Sequence, residues 1–133
     1  MVIATRLRDR DLLRLVKQRL DQPSPTNRQP SLRRAVLDVL AQPAPTYYVD
    51  FYNATAILGP ALRGETEIRP GRYRCADQWV DMLRDLRELQ KKHPKRNFRE
   101  NILELCAGQA GHPRFYLTLR RAMAIVRPLL KAG

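Results

Sequence analysis

A block of twenty residues occurs twice in this chain. Residues 45–64 align without gaps onto residues 113–132, with identical pairs Pro45/Pro113, Tyr48/Tyr116, Ala54/Ala122, Ala56/Ala124, Ile57/Ile125, Pro60/Pro128 and Leu62/Leu130. Tyr47/Phe115, Val49/Leu117 and Leu58/Val126 match in kind. The correspondence continues upstream: residues 36–41 fall on 102–107, Ser31 and Leu32 on Asn97 and Phe98, and Leu13, Val16 and Leu20 on Trp79, Met82 and Leu86. The second copy carries two extra residues around Gly108 to Gly111. A repeated supersecondary unit has to solve the same packing problem twice, and this restricts the fold more than any other feature. The duplication divides the chain into a first repeat at 1–64, a linker at 65–74 and a second repeat at 75–133. A unit of about 60 residues is near the lower size limit for a stable core, so the two are expected to pack pseudo-symmetrically as one domain.

Each copy reads as three helices. The first carries Leu12, Leu13, Val16 and Leu20, or Trp79, Met82, Leu83, Leu86 and Leu89, at the spacing of one buried face. On the outer side of the second copy, Arg84, Glu88 and Lys92 lie four apart, a spacing that permits ion pairs. The second helix starts at Ser31 or Asn97, both good N-caps, with Glu100 giving a capping-box-like start. The residues Tyr47, Tyr48 and Val49, and their counterparts Phe115, Tyr116 and Leu117, are expected to form an aromatic plug under the third helix, capped by Asp50 or Thr118. Pro60 and Pro128 fall inside the third helices, where a kink or break is expected. The expected fold is therefore all-α: two tandem three-helix units, helix-turn-helix-like, although the turn before the third helix is longer than usual. The Pro-Arg-Phe-Tyr-Leu-Thr run at 113–118, followed by an Ala-x-Ala-Ile helix and preceded by a degenerate earlier copy, resembles small basic bacterial proteins of unassigned function. That resemblance implies a helical fold and a cytoplasmic setting, and nothing about activity.

Charge narrows the partner class. The chain has 133 residues with 25 Lys and Arg against 13 Asp and Glu, a net +12, while 44% of its residues are hydrophobic, enough for a packed core. No apolar run approaches the ~18 residues of a membrane span, and charges at Arg6, Arg8, Asp9 and Arg10 stand where a signal peptide needs an apolar stretch. The expectation is a cytoplasmic protein with no membrane partner. Cys75, His93, Cys106 and His112 lack the close spacings of structural zinc, so no metal is expected, and no cofactor. Cys106 lies on an apolar stripe and reads as a core residue. No Gly-rich phosphate loop or local Ser/His/Asp arrangement is present, which points away from an enzyme. Tyr116 beside His112 and Arg114 resembles a nucleophile's surroundings, yet Tyr48 occupies the equivalent place without either neighbour, which favours packing. Tyr73, between Arg72 and Arg74, is an aromatic with basic neighbours off any helix stripe, placed to stack on a base or to pack the linker down.

The cations are unevenly shared, with ten against six acids in residues 1–66 and fifteen against seven in 67–133. Lys91, Lys92, Lys95, Arg96 and Arg99 surround the loop before the second copy's middle helix, and Arg114 joins them as a candidate phosphate contact. Thr118, Arg120 and Arg121 open its third helix and are the candidate base readers, with Arg127 and Lys131 further along. The expected function is non-enzymatic nucleic-acid binding, DNA before RNA, by a small regulator or accessory factor. The competing reading is a helical protein-interaction module whose basic face is incidental. Trp79 sits on the Met82, Leu83, Leu86 stripe, so Trp79→Ala should cost about 3–5 kcal/mol; a thermal melt unchanged within error would place it on the surface.

Overall fold

The computed structural model describes residues 3–22, 28–69 and 76–132. Among these residues every regular element is an α-helix: α1 (Ile3–Asp21), α2 (Leu32–Leu40), α3 (Phe51–Leu62), α4 (Ala76–Lys92), α5 (Phe98–Cys106) and α6 (Leu119–Ala132). Tyr73, with Arg72, Arg74 and Cys75, lies outside the described residues, as does the linker beyond residue 69.

The helix boundaries follow from the caps. Ser31 Oγ accepts from the Arg34 amide at 3.1 Å and Asn97 Oδ1 from the Glu100 amide at 2.8 Å, the same bond at equivalent positions of the two copies. Asp50 and Thr118 repeat it for the third helices, accepting from the Asn53 and Arg121 amides at 2.8 and 3.1 Å. Each such cap contributes about 1 kcal/mol by satisfying an amide that has no partner within the helix. Pro60 and Pro128 break neither α3 nor α6, contrary to one reading of the sequence. Each removes one hydrogen bond near the C-terminal end, and helical pairing elsewhere in the element holds it together.

The sequential tandem arrangement is not what forms. One compact unit consists of residues 1–43 and 117–133, hence α1, α2 and α6; the other consists of residues 44–116, hence α3, α4 and α5. α6 packs on both α1 and α2, and α3 packs on both α4 and α5, so each copy's third helix completes the other copy's bundle. The boundaries at 1–64 and 75–133 mark the sequence repeat, whereas the packed units cut across them. The second and third helices of a copy never share a unit, so among the described residues no sequential helix-turn-helix is packed within one unit. The physical reason lies in the ten residues between α2 and α3 and the twelve between α5 and α6: a connection of that length does not force its two helices together.

The 44–116 unit is built on Tyr47, Leu58, Trp79, Met82, Leu86, Ile102 and Leu105, with Ala54 letting α3 approach closely. In the 1–43/117–133 unit Leu12, Val16, Ala35, Val36, Ala122 and Val126 are all fully buried. Burial also corrects the register of the first helices. Leu12 and Val16 match Met82 and Leu86 as fully buried pairs, while Leu13 and Leu20 are only half-buried, so α1 is displaced one turn from the pairing the sequence suggests. A shift of four residues rotates a helix by only about 40°, which is why periodicity alone cannot choose between the two registers.

The plug differs in detail from the sequence expectation. Tyr47 and Phe115 are buried, whereas Tyr48 and Tyr116 are half-buried. Tyr47 stacks on Tyr116 with ring centroids 6.2 Å apart, and Tyr48 on Phe115 at 5.8 Å, so the two ring pairs are equivalent under the repeat. Tyr48 takes a φ of +57°, a left-handed conformation that costs a tyrosine about 1 kcal/mol or more.

Two predictions follow from this packing. Chains 1–69 and 76–133, made separately and then mixed, should gain helical circular dichroism beyond the sum of the two, because each carries the other's third helix; no gain on mixing would contradict the exchange. Asn101 is fully buried with neither side-chain atom hydrogen-bonded, and Ala35 occupies the equivalent place in α2. An unsatisfied buried amide costs about 1–3 kcal/mol, so Asn101→Ala should raise the midpoint of thermal unfolding. A fall would mean that the amide has a partner.

Candidate functional site

The nine residues singled out from the sequence fall in both units. Thr118, Arg120 and Arg121 belong to the α1–α2–α6 unit; Lys91, Lys92, Lys95, Arg96, Arg99 and Arg114 belong to the α3–α4–α5 unit.

Within the second group the side chains have different fates. Arg96 is engaged by Glu104 at 2.9 Å, with Glu100 at 4.0 Å, and that hydrogen bond holds the Glu104 carboxyl below its ordinary range. Arg114 reaches Asp81 at 3.3 Å and lies 5.5 Å from the centroid of the Tyr116 ring. Arg99 lies over Phe51 at 5.3 Å. Arg96 and Arg114 are thus committed to internal carboxylates, which sequence spacing could not reveal because Glu104 and Asp81 are 8 and 33 residues away. Lys91, Lys92 and Lys95 are exposed and, among the described residues, form no ion pair. Lys91 and Lys92 close the last turn of α4, where a cation is stabilised by the helix dipole whatever else it does.

α6 has no such structural explanation. It carries Arg120, Arg121, Arg127 and Lys131, contains no acid, and among the described residues none of the four is in an ion pair. All four are exposed. Arg120, Arg127 and Lys131 recur at i, i+7 and i+11, a stripe about 16 Å long opposite the buried Ala122 and Val126. Arg121 stands beside it. Arg120 and Arg121 occupy the first turn, where the dipole opposes cations, so their presence costs helix stability rather than adding to it. Thr118 is exposed and occupied as the N-cap. The contrast with α3 is complete: its twelve residues carry no charge, and Tyr52, Asn53 and Gly59 stand where α6 has Arg120, Arg121 and Arg127.

A second polar constellation escaped sequence reasoning. Asp85 lies on the apolar face of α4 between Met82 and Leu86 and is buried. Its Oδ2 accepts from the Tyr47 hydroxyl and, at 2.8 Å, from the His112 amide. Gly111 permits that approach: its φ is +86°, and a Cβ there would meet Asp85 Oδ2 at 2.7 Å. The legible signal was an acid three residues after Met82, inside the stripe. Tyr116, whose setting suggested a nucleophile, donates its hydroxyl to Asp81 at 2.6 Å. Cys106 is half-buried against the core, and burial, with a smaller contribution from Asp50, pushes its thiol up to about 11. Neither of the i, i+4 pairs available to Glu88 forms: Arg84 turns to Asp81 at 3.4 Å and to Asp85 at 3.8 Å, and among the described residues Glu88 is in no ion pair.

No protein-family model, no curated protein and no solved structure matches the chain. Among the described residues no helix is long and apolar enough to cross a membrane.

Burial and then the Asp85 carboxylate push the Tyr47 phenol well above its ordinary value of 10.0. The folded state therefore favours the neutral phenol. Its contribution is complete below the unfolded value and is lost as pH rises above about 10. Tyr47→Phe should cost about 1–3 kcal/mol at neutral pH, and the gap to the parent chain should narrow above pH ~10. A gap that stays constant across that range would contradict the assignment.

Proposed function

We propose that this protein binds nucleic acid without catalysing a reaction, and that α6 is the helix that meets it. The observation carrying this reading is the cation set of α6, the stripe of three with Arg121 on its flank: four exposed cations with no acid on the helix and, among the described residues, no ion pair, at positions where α3 has no charge. A net +12 on 15.4 kDa adds a long-range attraction for phosphates. α6 and the duplex are matched in shape as well as charge. The B-DNA major groove is about 12 Å wide and admits a helix, whereas the deep, narrow groove of A-form RNA does not. Duplex DNA is therefore the preferred partner. Arg120 and Arg121 are the candidate base readers, and Arg127 and Lys131 hold phosphates. Lys91, Lys92 and Lys95 supply further phosphate contacts, whereas Arg96 and Arg114 contribute less because each already has a carboxylate.

Fluorescence anisotropy of labelled duplex DNA, duplex RNA and single-stranded oligonucleotides at two salt concentrations tests this. The five phosphate contacts at Arg127, Lys131, Lys91, Lys92 and Lys95 give a slope of about −4.5 in log K against log salt. Arg127→Ala with Lys131→Ala should make that slope shallower by about 2. Arg120→Ala with Arg121→Ala should in addition relax sequence preference by about 1–3 kcal/mol per lost base contact. No binding tighter than about 100 µM at low salt would reject the reading, because non-specific binders do better than that. The chain would then be read as a helical protein-interaction module.

A further inference from the structure

The cleft between α4 and α5 is lined by Asp85, Glu88, His93, Glu104, Gly111 and His112 and has a volume of about 340 Å³. Asp85, Glu88 and His112 each present a donor atom within 4.8 Å of the other two. From this arrangement we infer that these three residues form a binding site for a first-row divalent cation of the zinc class.

The three donors come from two elements, α4 and the loop after α5. Asp85 and Glu88 stand at i and i+3 on α4 and so share a face. His112 is brought over them by the glycine-bearing loop after α5, whose amide is tied to Asp85. Asp85 is the anchor. Its side chain is 0% exposed, and one oxygen is held by Tyr47 and the His112 amide while Oδ1 accepts no hydrogen bond. Arg84 Nε makes a long ion pair with Oδ1 at 3.8 Å, beyond hydrogen-bond distance, from a side chain that is itself half-exposed. A buried carboxylate oxygen without a donor costs free energy that a bound cation would recover. Glu88 and His112 are exposed and free to turn. Tetrahedral zinc with bonds of about 2.0–2.1 Å needs donors about 3.3 Å apart, which rotation of those two side chains supplies. One imidazole with two carboxylates suits zinc and its neighbours rather than calcium or magnesium, and three protein ligands leave a position open for water or an added ligand.

The duplication provides an internal comparison. In the register set by burial, α1 carries Leu15 and Gln18 where α4 carries Asp85 and Glu88. Leu15 and Gln18 line the corresponding cleft between α1 and α2, which has neither pair of carboxylates nor a histidine. The donor set is thus confined to one of two similarly built clefts and is not a requirement of the fold.

The test is a calorimetric titration of the untagged full chain with zinc in chelator-free buffer. One equivalent should bind with micromolar or tighter affinity. Glu88→Gln and His112→Ala should each weaken binding at least about tenfold, with unchanged circular dichroism because both residues are exposed. Gln18→Ala and His93→Ala should bind as the parent chain does. In the parent chain the largest zinc-induced shift among the two histidine rings should fall on His112, a readout independent of any variant. No saturable binding at about 100 µM zinc, equal affinity in Glu88→Gln and His112→Ala, or loss of binding in His93→Ala would each overturn the assignment.

Discussion

Two packed helices leave part of their apolar faces uncovered, and in this protein neither α1–α2 nor α4–α5 is closed by the helix that follows it in sequence. Each is closed by the third helix of the other copy, so Ala122 and Val126 complete a core begun by Leu12, Val16 and Val36, while Ala54 and Leu58 complete the one begun by Met82, Leu86 and Ile102. The rest of the structure depends on that exchange. The chain leaves one unit after Pro43 and returns to it at Leu117. The repeated Pro-x-aromatic-Tyr segments stand at those two crossings, and their rings meet as Tyr47 on Tyr116 and Tyr48 on Phe115. A shared sequence motif thus marks the place where the path of the chain passes from one unit to the other.

Within this shared plan the copies have diverged at a few positions, and the divergences carry the chemistry. α3 is uncharged where α6 has four cations. Leu15 and Gln18 occupy the places in the first copy that Asp85 and Glu88 occupy in the second, and Ala35 that of Asn101. Tyr47 has a hydroxyl for Asp85 where Phe115 has none. Substitutions of this kind at buried or helix-lining positions leave the caps and apolar stripes intact, so one fold can present an anion-attracting helix in one unit and a carboxylate–imidazole cleft in the other. The excess of positive charge does not assign itself to a partner. Arg96, Arg114 and Arg84 are drawn to Glu104 and Asp81, and only the cations left over are available to an external polyanion.

Much of this was legible without coordinates. The four N-caps, the apolar stripes and the uneven distribution of cations are local properties, each decided by residues within one or two turns of one another. The grouping of Asp85, Glu88 and His112 was not, because His112 is 24 residues from Glu88 in sequence and its nearer apparent partners were Arg114 and Tyr116. Glu88 itself looked like half of a surface ion pair, a reading that spacing permits and the observed side-chain pairing does not bear out.

The sequence by itself determined that there are two copies, that each consists of three helices, where each third helix begins, and which faces are apolar. These follow from hydrogen bonds and side-chain spacing along a single helix. Tertiary structure alone decided which third helix closes which bundle, the one-turn register of α1 against α4, and the choice of carboxylate for each arginine. In both units a third helix with a similar buried face, Ala54 and Leu58 or Ala122 and Val126, could satisfy the same two partners. Neither hydrophobic burial, which is non-directional, nor a four-residue step along a helix, which leaves the apolar face almost unmoved, distinguishes these alternatives in one dimension.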